Sequence, residues 1–296
     1  MRLTDFEKLA FTDRPSFTGY KSTLEFSKYV LFGAPHDMTT CYRPGTRFAP
    51  PEIREASLNI ETYSYFSQRD MSEVRIHDIG DIFLTGNHRE RLSQIGNVLE
   101  QISNTWGKIP IMLGGEHSIT IPIREVFNKD VLFVIFDAHG DLREQYLDEP
   151  YSHASMTKRL LDVINPDQIL QVGIRAQSLE EIEFVKDHPE LIQLSSLDIH
   201  KNGFDWTMKK FKDKIDQFDK IYISVDIDGY DPCYAPGTGT PEVMGLNPYL
   251  VFSLIQQIKN SQIVGVDINE VNPSFDPSGI TSILAAKTLY EILLTK

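Results

Sequence analysis

The sequence predicts an α/β fold of three layers, with helices on both faces of a parallel sheet. The first observation is a series of short apolar runs rich in β-branched and aromatic residues: "KYVLFGAP", "IPIMLGG", "VLFVIFDAH", "QILQVGIR", "LIQLS", "KIYISVDID" and "QIVGVDINE". A strand covered on both faces has no solvent side to alternate toward, so it reads as a continuous apolar run. The second observation is that helical patterns lie between the runs, as the crossovers of parallel strands require. In "SHASMTKRLLDVINP", Met156, Leu160, Leu161 and Ile164 fall at helical spacing and Pro166 lies just beyond the end. In "SGITSILAAKTLYEILLT", Ser278 or Ser282 is the expected N-cap. No repeat, low-complexity stretch or long linker divides the 296 residues, so one domain over 1–296 is expected, with 1–25 as an irregular lead-in.

Composition narrows the function classes. Hydrophobic residues make up 41% and charged residues 24%, which belongs to a soluble globular chain. The net charge of -13 argues against a nucleic-acid groove, which needs clustered Lys and Arg, and permits a cationic ligand. The N-terminus has no signal-type apolar core, and no segment approaches the ~18 apolar residues of a membrane span, so a cytoplasmic location away from membranes is expected. Cys41 and Cys233 are far apart and outside any CxxC pattern, which reads as two free thiols.

Open parallel sheets gather their chemistry in the loops at the carboxyl ends of the strands. Polar clusters stand at those places: "GGEHS" after "IPIML", "DAHGD" after "VLFVIF", "DIDGYDP" after "KIYISV" and "NEVNP" at the end of "QIVGVDI". In an extended strand Asp137, His139 and Asp141 would share one side, as would Asp226 and Asp228. A lone DxHxD also fits a solvated turn or a capping cluster, and a lone DxD fits a turn. All of them at strand ends point to metal, because four buried carboxylates stay ionised only beside a cation. His117 offers a second imidazole. This is more acid than one ion needs and suits two; mixed carboxylate and imidazole ligands favour manganese over iron, cobalt or zinc. Gly114 and Gly115 read as a tight turn, and Glu116 as a residue that orients His117.

With "RPGTRFAPPEIREAS" upstream, the motifs "GGEHSIT", "FDAHGDL", "SVDIDGYDP", "PGTGTPE" and "DINEVNP" resemble, in order and spacing, the ureohydrolase family that contains arginase and agmatinase. The resemblance covers roughly residues 30–290. It implies an arginase-like fold with an eight-stranded parallel sheet, two Mn2+ per subunit, and assembly as a homotrimer or homohexamer. It implies one ion on His117, Asp137, Asp141 and Asp226, and the other on His139, Asp137, Asp226 and Asp228. His153 in "YSHASM" matches the family's proton-shuttle histidine and Glu270 the residue that orients the guanidinium; both, with Asp141, are the expected catalytic residues. The reaction implied is attack of a metal-bridging hydroxide on a small cationic guanidino substrate.

For the substrate, the stretch "LREQYLDEPYSHAS" lacks the Asn and Ser pattern by which arginases hold an amino-acid carboxylate, and is similar to agmatinases of the archaeal and clostridial kind. Glu144, Asp148 and Glu149 add negative charge there, which favours a distal amine, as in agmatine. Aminopropylagmatine, guanidinobutyrate and arginine are the alternatives, and a metal-binding protein without activity is the rival class. "PGTGTPE" reads as a sharp loop whose Thr238 or Thr240 bonds ligand carboxylates, with Glu242 either a supporting acid or a loop charge. "VMGL" stands where the family often has Pro-Gly-Gly-Leu. His36 is expected near the substrate side.

Overall fold

In a computed structural model, residues 9–12, 15–127 and 130–296 are described. The core is a nine-stranded sheet. Its strands are β1 (Phe11–Thr12), β2 (Tyr29–Gly33), β3 (Ile76–Ile82), β4 (Ile109–Leu113), β5 (Val131–Phe136), β6 (Ile169–Val172), β7 (Ile192–Leu194), β8 (Lys220–Asp226) and β9 (Ile263–Asn269). They lie in the order β1-β3-β2-β4-β9-β8-β5-β6-β7. Eight strands pair in parallel, and the short β1 adds an antiparallel edge against β3. The lead-in is therefore not wholly irregular: residues 11 and 12 are strand, while 1–8 and 13–14 lie outside the described residues.

The apolar runs form strands because each strand is covered twice. In β5, Leu132, Val134 and Phe136 pack into one core and Val131, Phe133 and Ile135 into the other. Helices α1 (Ala49–Ser57), α6 (Ser196–Ile215), α7 (Pro248–Ile255) and α8 (Ile280–Leu293) close the first face, and α2 (His88–Glu100), α3 (Ile123–Val126), α4 (Met156–Leu160) and α5 (Leu179–Asp187) the second. Capping boxes start α2 at Asn87 and α5 at Ser178, where each side chain satisfies an otherwise unpaired backbone N–H. Two expectations about helix ends change. The helix read through Ile164 stops at Leu160, with Ile164 still buried beyond it. Neither Ser278 nor Ser282 is the N-cap of α8: Gly279 holds that position at φ 71, and the Asp276 carboxylate accepts the Thr281 N–H at 2.7 Å. Ser282 lies buried inside the helix.

β3 is the parallel strand that the apolar runs do not reveal. Its sequence, "IHDIGDI", carries two aspartates. Both face Arg54 of α1, whose side chain is fully buried: Nε donates to Asp78 Oδ2 at 2.8 Å, Nη2 to Asp78 Oδ1 at 2.9 Å, and Nη1 to Asp81. This pairing lets an acidic strand occupy the interior.

The order of the sheet positions the site. The four strands that end in polar motifs, β4, β9, β8 and β5, are neighbours at its centre. Their register is level at the carboxyl end, with Val225 opposite Phe136, Asp226 opposite Asn269, and Ile268 opposite Leu113. No helix among the described residues is long and apolar enough to cross a membrane.

Replacing Arg54 by Leu leaves Asp78 and Asp81 buried without a counter-charge. Urea denaturation should show a loss of about 3–5 kcal/mol; a loss below about 1 kcal/mol, typical of an exposed pair, would contradict the role given to Arg54.

Candidate metal centre and cleft

Gly114 and Gly115 carry the chain from β4 into the His117–Thr120 turn. A Cβ on Gly115 would come within 2.0 Å of the His36 carbonyl oxygen, so only glycine permits this close crossing. The turn lowers His117 onto the ends of β5 and β8. Its Nδ1 lies 3.1 Å from Asp137 Oδ2, 3.2 Å from Asp141 Oδ2 and 3.3 Å from Asp226 Oδ2. On the other side of the loop, His139 Nδ1 lies 3.0 Å from Asp228 Oδ2 and 3.7 Å from Asp137 Oδ1. All six expected metal-binding residues thus converge, and Asp137 touches both imidazoles.

Strand alternation is not what aims them. β5 ends at Phe136, and Asp141 sits at φ 51, in the left-handed region. The carboxylates are instead set by backbone donors within the turns. His139 N–H donates to Asp137 Oδ1 at 2.6 Å, Ala138 N–H to Asp228 Oδ1 at 3.1 Å, and Asp228 N–H to Asp226 Oδ1 at 2.9 Å. The loop is pinned from outside by Leu142 N–H to Glu181 Oε1 at 2.9 Å and by Gln171 Nε2–H to the Gly140 carbonyl at 2.8 Å.

Hydrogen bonding behind His117 fixes which nitrogen faces the carboxylates. Asp267, fully buried, accepts from Ser224 Oγ at 2.6 Å and from Tyr222 OH at 2.8 Å. Having given its proton to Asp267, Ser224 Oγ accepts from His117 Nε2–H at 3.0 Å. Nδ1 then presents a lone pair to three carboxylate oxygens, and both Nδ1 and Asp137 Oδ2 are buried without a hydrogen-bond partner. A cation resolves that conflict. Although burial pulls His117 down, Asp137, Asp141 and Asp226 hold its pKa well above the ordinary imidazole range, so the cluster draws positive charge to that spot. Burial, then Asp137, pushes Asp141 up to about 7, and burial with Asp228 and Asp137 raises Asp226. Among the described residues three groups could each hold a metal ion, and two of them lie here: His117 with Asp137 and Asp141, and Asp137 with His139 and Asp228; the third is His36 with His88 and Glu116. Ser224 and Asp267 escaped the sequence reading; their signal was a polar residue inside an otherwise apolar strand.

Glu270 also lies at left-handed backbone, φ 59. Its Oε1 accepts His117 N–H at 2.7 Å, and burial, followed by Asp226 and Glu116, raises its pKa well above the carboxylate range. His153 begins the turn before α4; its Nδ1 is 3.1 Å from Thr39 Oγ1 and its Nε2 3.9 Å from Cys41 Sγ. A cleft of about 460 Å³ opens here, lined in part by His139, Asp141, Arg143, His153, Arg175 and Glu242.

Several expectations are corrected. Glu144 turns to Arg159 and Lys158, and Glu149 to Arg89 and the Tyr151 N–H, so neither is among the cleft's lining residues; nor is Asp148. His36 does not face the substrate side: it is fully buried and stacked on His88, its Nε2 2.9 Å from His88 Nδ1. Thr238 Oγ1 is buried without a hydrogen-bond partner, so it does not hold a ligand carboxylate, and Thr240 lines the cleft. Arg175, unremarked in the sequence, donates to the carbonyls of Asp228 at 2.6 Å and Glu242 at 2.8 Å and ties the Asp228 turn to the cleft rim. In "VMGL", Met244 occupies φ 64, a backbone suited to the glycine that the resemblance expects there. Gly245 N–H and Asp231 Oδ2, 2.8 Å apart, clamp the loop nonetheless.

The chain is similar to known proteins in both sequence and structure. A sequence profile of the arginase family matches residues 27–295. The chain is 37% identical to an agmatinase of Halalkalibacterium halodurans over 93% of this chain and 94% of that one. It is 37% identical to the N(1)-aminopropylagmatine ureohydrolase of Thermococcus kodakarensis, covering 90% of each. The crystal structure of the agmatine ureohydrolase of Thermoplasma volcanium superposes with a TM-score of 0.85 at 40% identity, over 92% of this chain and 91% of that one.

Met244→Gly should raise the unfolding free energy by about 0.5–1 kcal/mol, the relief of left-handed strain less glycine's greater unfolded-state entropy. A lower melting temperature in calorimetry would show that Met244 contributes packing that outweighs its backbone.

Proposed function

The chain belongs to the arginase family, and on that footing we propose that it hydrolyses agmatine to putrescine and urea, with two Mn2+ per chain as cofactor. The observation that carries this reading is His117 Nδ1, buried without a hydrogen-bond partner among the oxygens of Asp137, Asp141 and Asp226. A set of carboxylates and imidazoles fits manganese. His117, Asp137, Asp141 and Asp226 would hold one ion and His139, Asp137, Asp226 and Asp228 the other, with Asp137 and Asp226 shared. Bound there, such a metal pair supplies hydroxide at neutral pH by depressing the pKa of water.

The chain's own residues do the rest. Four aspartates match two divalent ions in charge; with ions bound, the repulsion from Asp226 that helps raise Glu270 would be offset, which leaves Glu270 to serve as the carboxylate toward a cationic guanidinium. One Glu270 oxygen is engaged by His117 N–H, yet a carboxylate has lone pairs enough to accept guanidinium N–H groups as well and aim the carbon. His153 delivers the proton that the amine needs as it leaves. Asp141, the one aspartate of the cluster among the cleft's lining residues, meets the substrate side as well as the ion. We read the protein as one cytoplasmic domain over residues 1–296, assembled as a homotrimer or homohexamer.

Agmatine is favoured by the likeness to agmatinases. A second reading, a guanidino acid such as guanidinobutyrate, has one observation behind it: Arg143 lines the cleft, with its nearest carboxylate, Glu181, 3.9 Å away. Comparison of kcat/KM for agmatine, aminopropylagmatine, guanidinobutyrate and arginine on manganese-loaded protein decides between them. Agmatine should lead by about tenfold or more, equivalent to about 1.4 kcal/mol. A lead for guanidinobutyrate would move the assignment to a guanidino acid, and no urea from any of them would remove the hydrolase reading.

Asp226→Ala should lose bound manganese and activity together. His153→Ala should keep its manganese and lose kcat by about 10²–10⁴. Metal analysis beside urea release checks both, and equal loss of metal in the two variants would contradict the separation of roles.

A further inference from the structure

Glu116 is completely buried, and four donors converge on it. Thr39 N–H donates to Oε2 at 2.7 Å and Thr39 Oγ1–H to Oε1 at 2.8 Å; Ser118 Oγ–H donates to Oε1 at 2.5 Å and Thr40 Oγ1–H to Oε2 at 3.3 Å. This is the environment of an ionised carboxylate that only accepts. A threonine hydroxyl has one proton. With that proton given to Glu116, Thr39 Oγ1 can only accept from its remaining neighbours, and both belong to His153: the backbone N–H at 3.0 Å and Nδ1 at 3.1 Å. Nδ1 therefore carries a proton, and the lone pair stands on Nε2, beside Cys41 at the cleft. The bond made by one imidazole nitrogen decides what the other can do.

We propose that Thr39 and Glu116 are a positioning pair for His153, and this rests on the proton-delivering role proposed above for that histidine. Glu116 orients the Thr39 hydroxyl, the hydroxyl holds Nδ1–H, and Nε2 is left as the nitrogen that takes up and releases the proton. When Nε2 is protonated the imidazolium charge is stabilised by Glu116 through the threonine, much as a buried carboxylate supports the imidazole of a hydrolase triad. The placement follows from the fold: Glu116 precedes His117 at the end of β4, while Thr39 lies in the segment after β2, the strand beside it. A function assigned to Glu116 from sequence, orienting His117, is thereby replaced. The hydrogen bonds of its side chain run to Thr39, Thr40 and Ser118, and the His36 Nε2 stands 3.6 Å from Oε1.

The test is steady-state kinetics on the manganese-loaded full chain in a double-mutant cycle. Thr39→Val, which keeps the shape and removes the hydroxyl, should lower kcat about 10–100-fold, the range found when a supporting hydrogen bond is lost. KM and manganese content should stay near wild type, and Thr39→Ser should restore most of kcat. In a His153→Ala background Thr39→Val should cost nothing further, because the threonine acts through the histidine. A Thr39→Val protein with wild-type kcat overturns the proposal, as does an equal loss added on top of His153→Ala, which would mark a purely structural threonine. Full kcat in His153→Ala alone would overturn the role of the histidine itself, and the pair with it.

Discussion

Concentrated negative charge at the centre of a parallel sheet is the constraint on which the rest of this structure depends. Asp137, Asp141, Asp226 and Asp228 are all buried within the reach of two imidazoles. Left alone, such a set would protonate or open to water. The surrounding structure is arranged to hold it without neutralising it: backbone N–H groups bind the inner oxygens of Asp137, Asp226 and Asp228, while oxygens of the same residues point at His117 or His139. His117 is held by Ser224 and Asp267 with its acceptor nitrogen toward the acids. The arrangement is comprehensible only with positive charge among these groups.

The sheet supplies the rigidity. Its four central strands end level, so short turns from β4, β5, β8 and β9 meet above one small area of the core. The same logic recurs at the edge, where Asp78 and Asp81 of β3 are neutralised by Arg54. There the counter-charge is covalent and permanent, and the result is a structural ion pair. At the centre the residues of the chain could hold metal ions as the counter-charge, which is the role proposed for them as a site.

Much of this was legible in the sequence. Continuous apolar runs identify seven of the parallel strands, and the motifs at their ends name all six residues that converge. β3 escaped because its acids imitate a loop until Arg54 is seen beside them. Alternation named residues that do come together, but for a wrong reason: the strands end before His139 and Asp141, and turn geometry does the aiming. The acids of "LREQYLDEPYSHAS" misled because charge in a sequence has no direction. Glu144 and Glu149 are turned to Arg159 and Arg89, cations distant from or following them in the chain. The partnership of Thr39 with His153 spans 114 residues and leaves no local pattern at all.

Equilibrium dialysis of manganese against the purified, metal-stripped chain tests the central claim most directly. Two ions per chain are predicted, with a melting temperature that rises as the sites fill, since a ligand bound only by the folded state stabilises it. Saturation without bound manganese, or with a melting temperature indifferent to it, would mean that the buried carboxylates are kept by protons and not by metal.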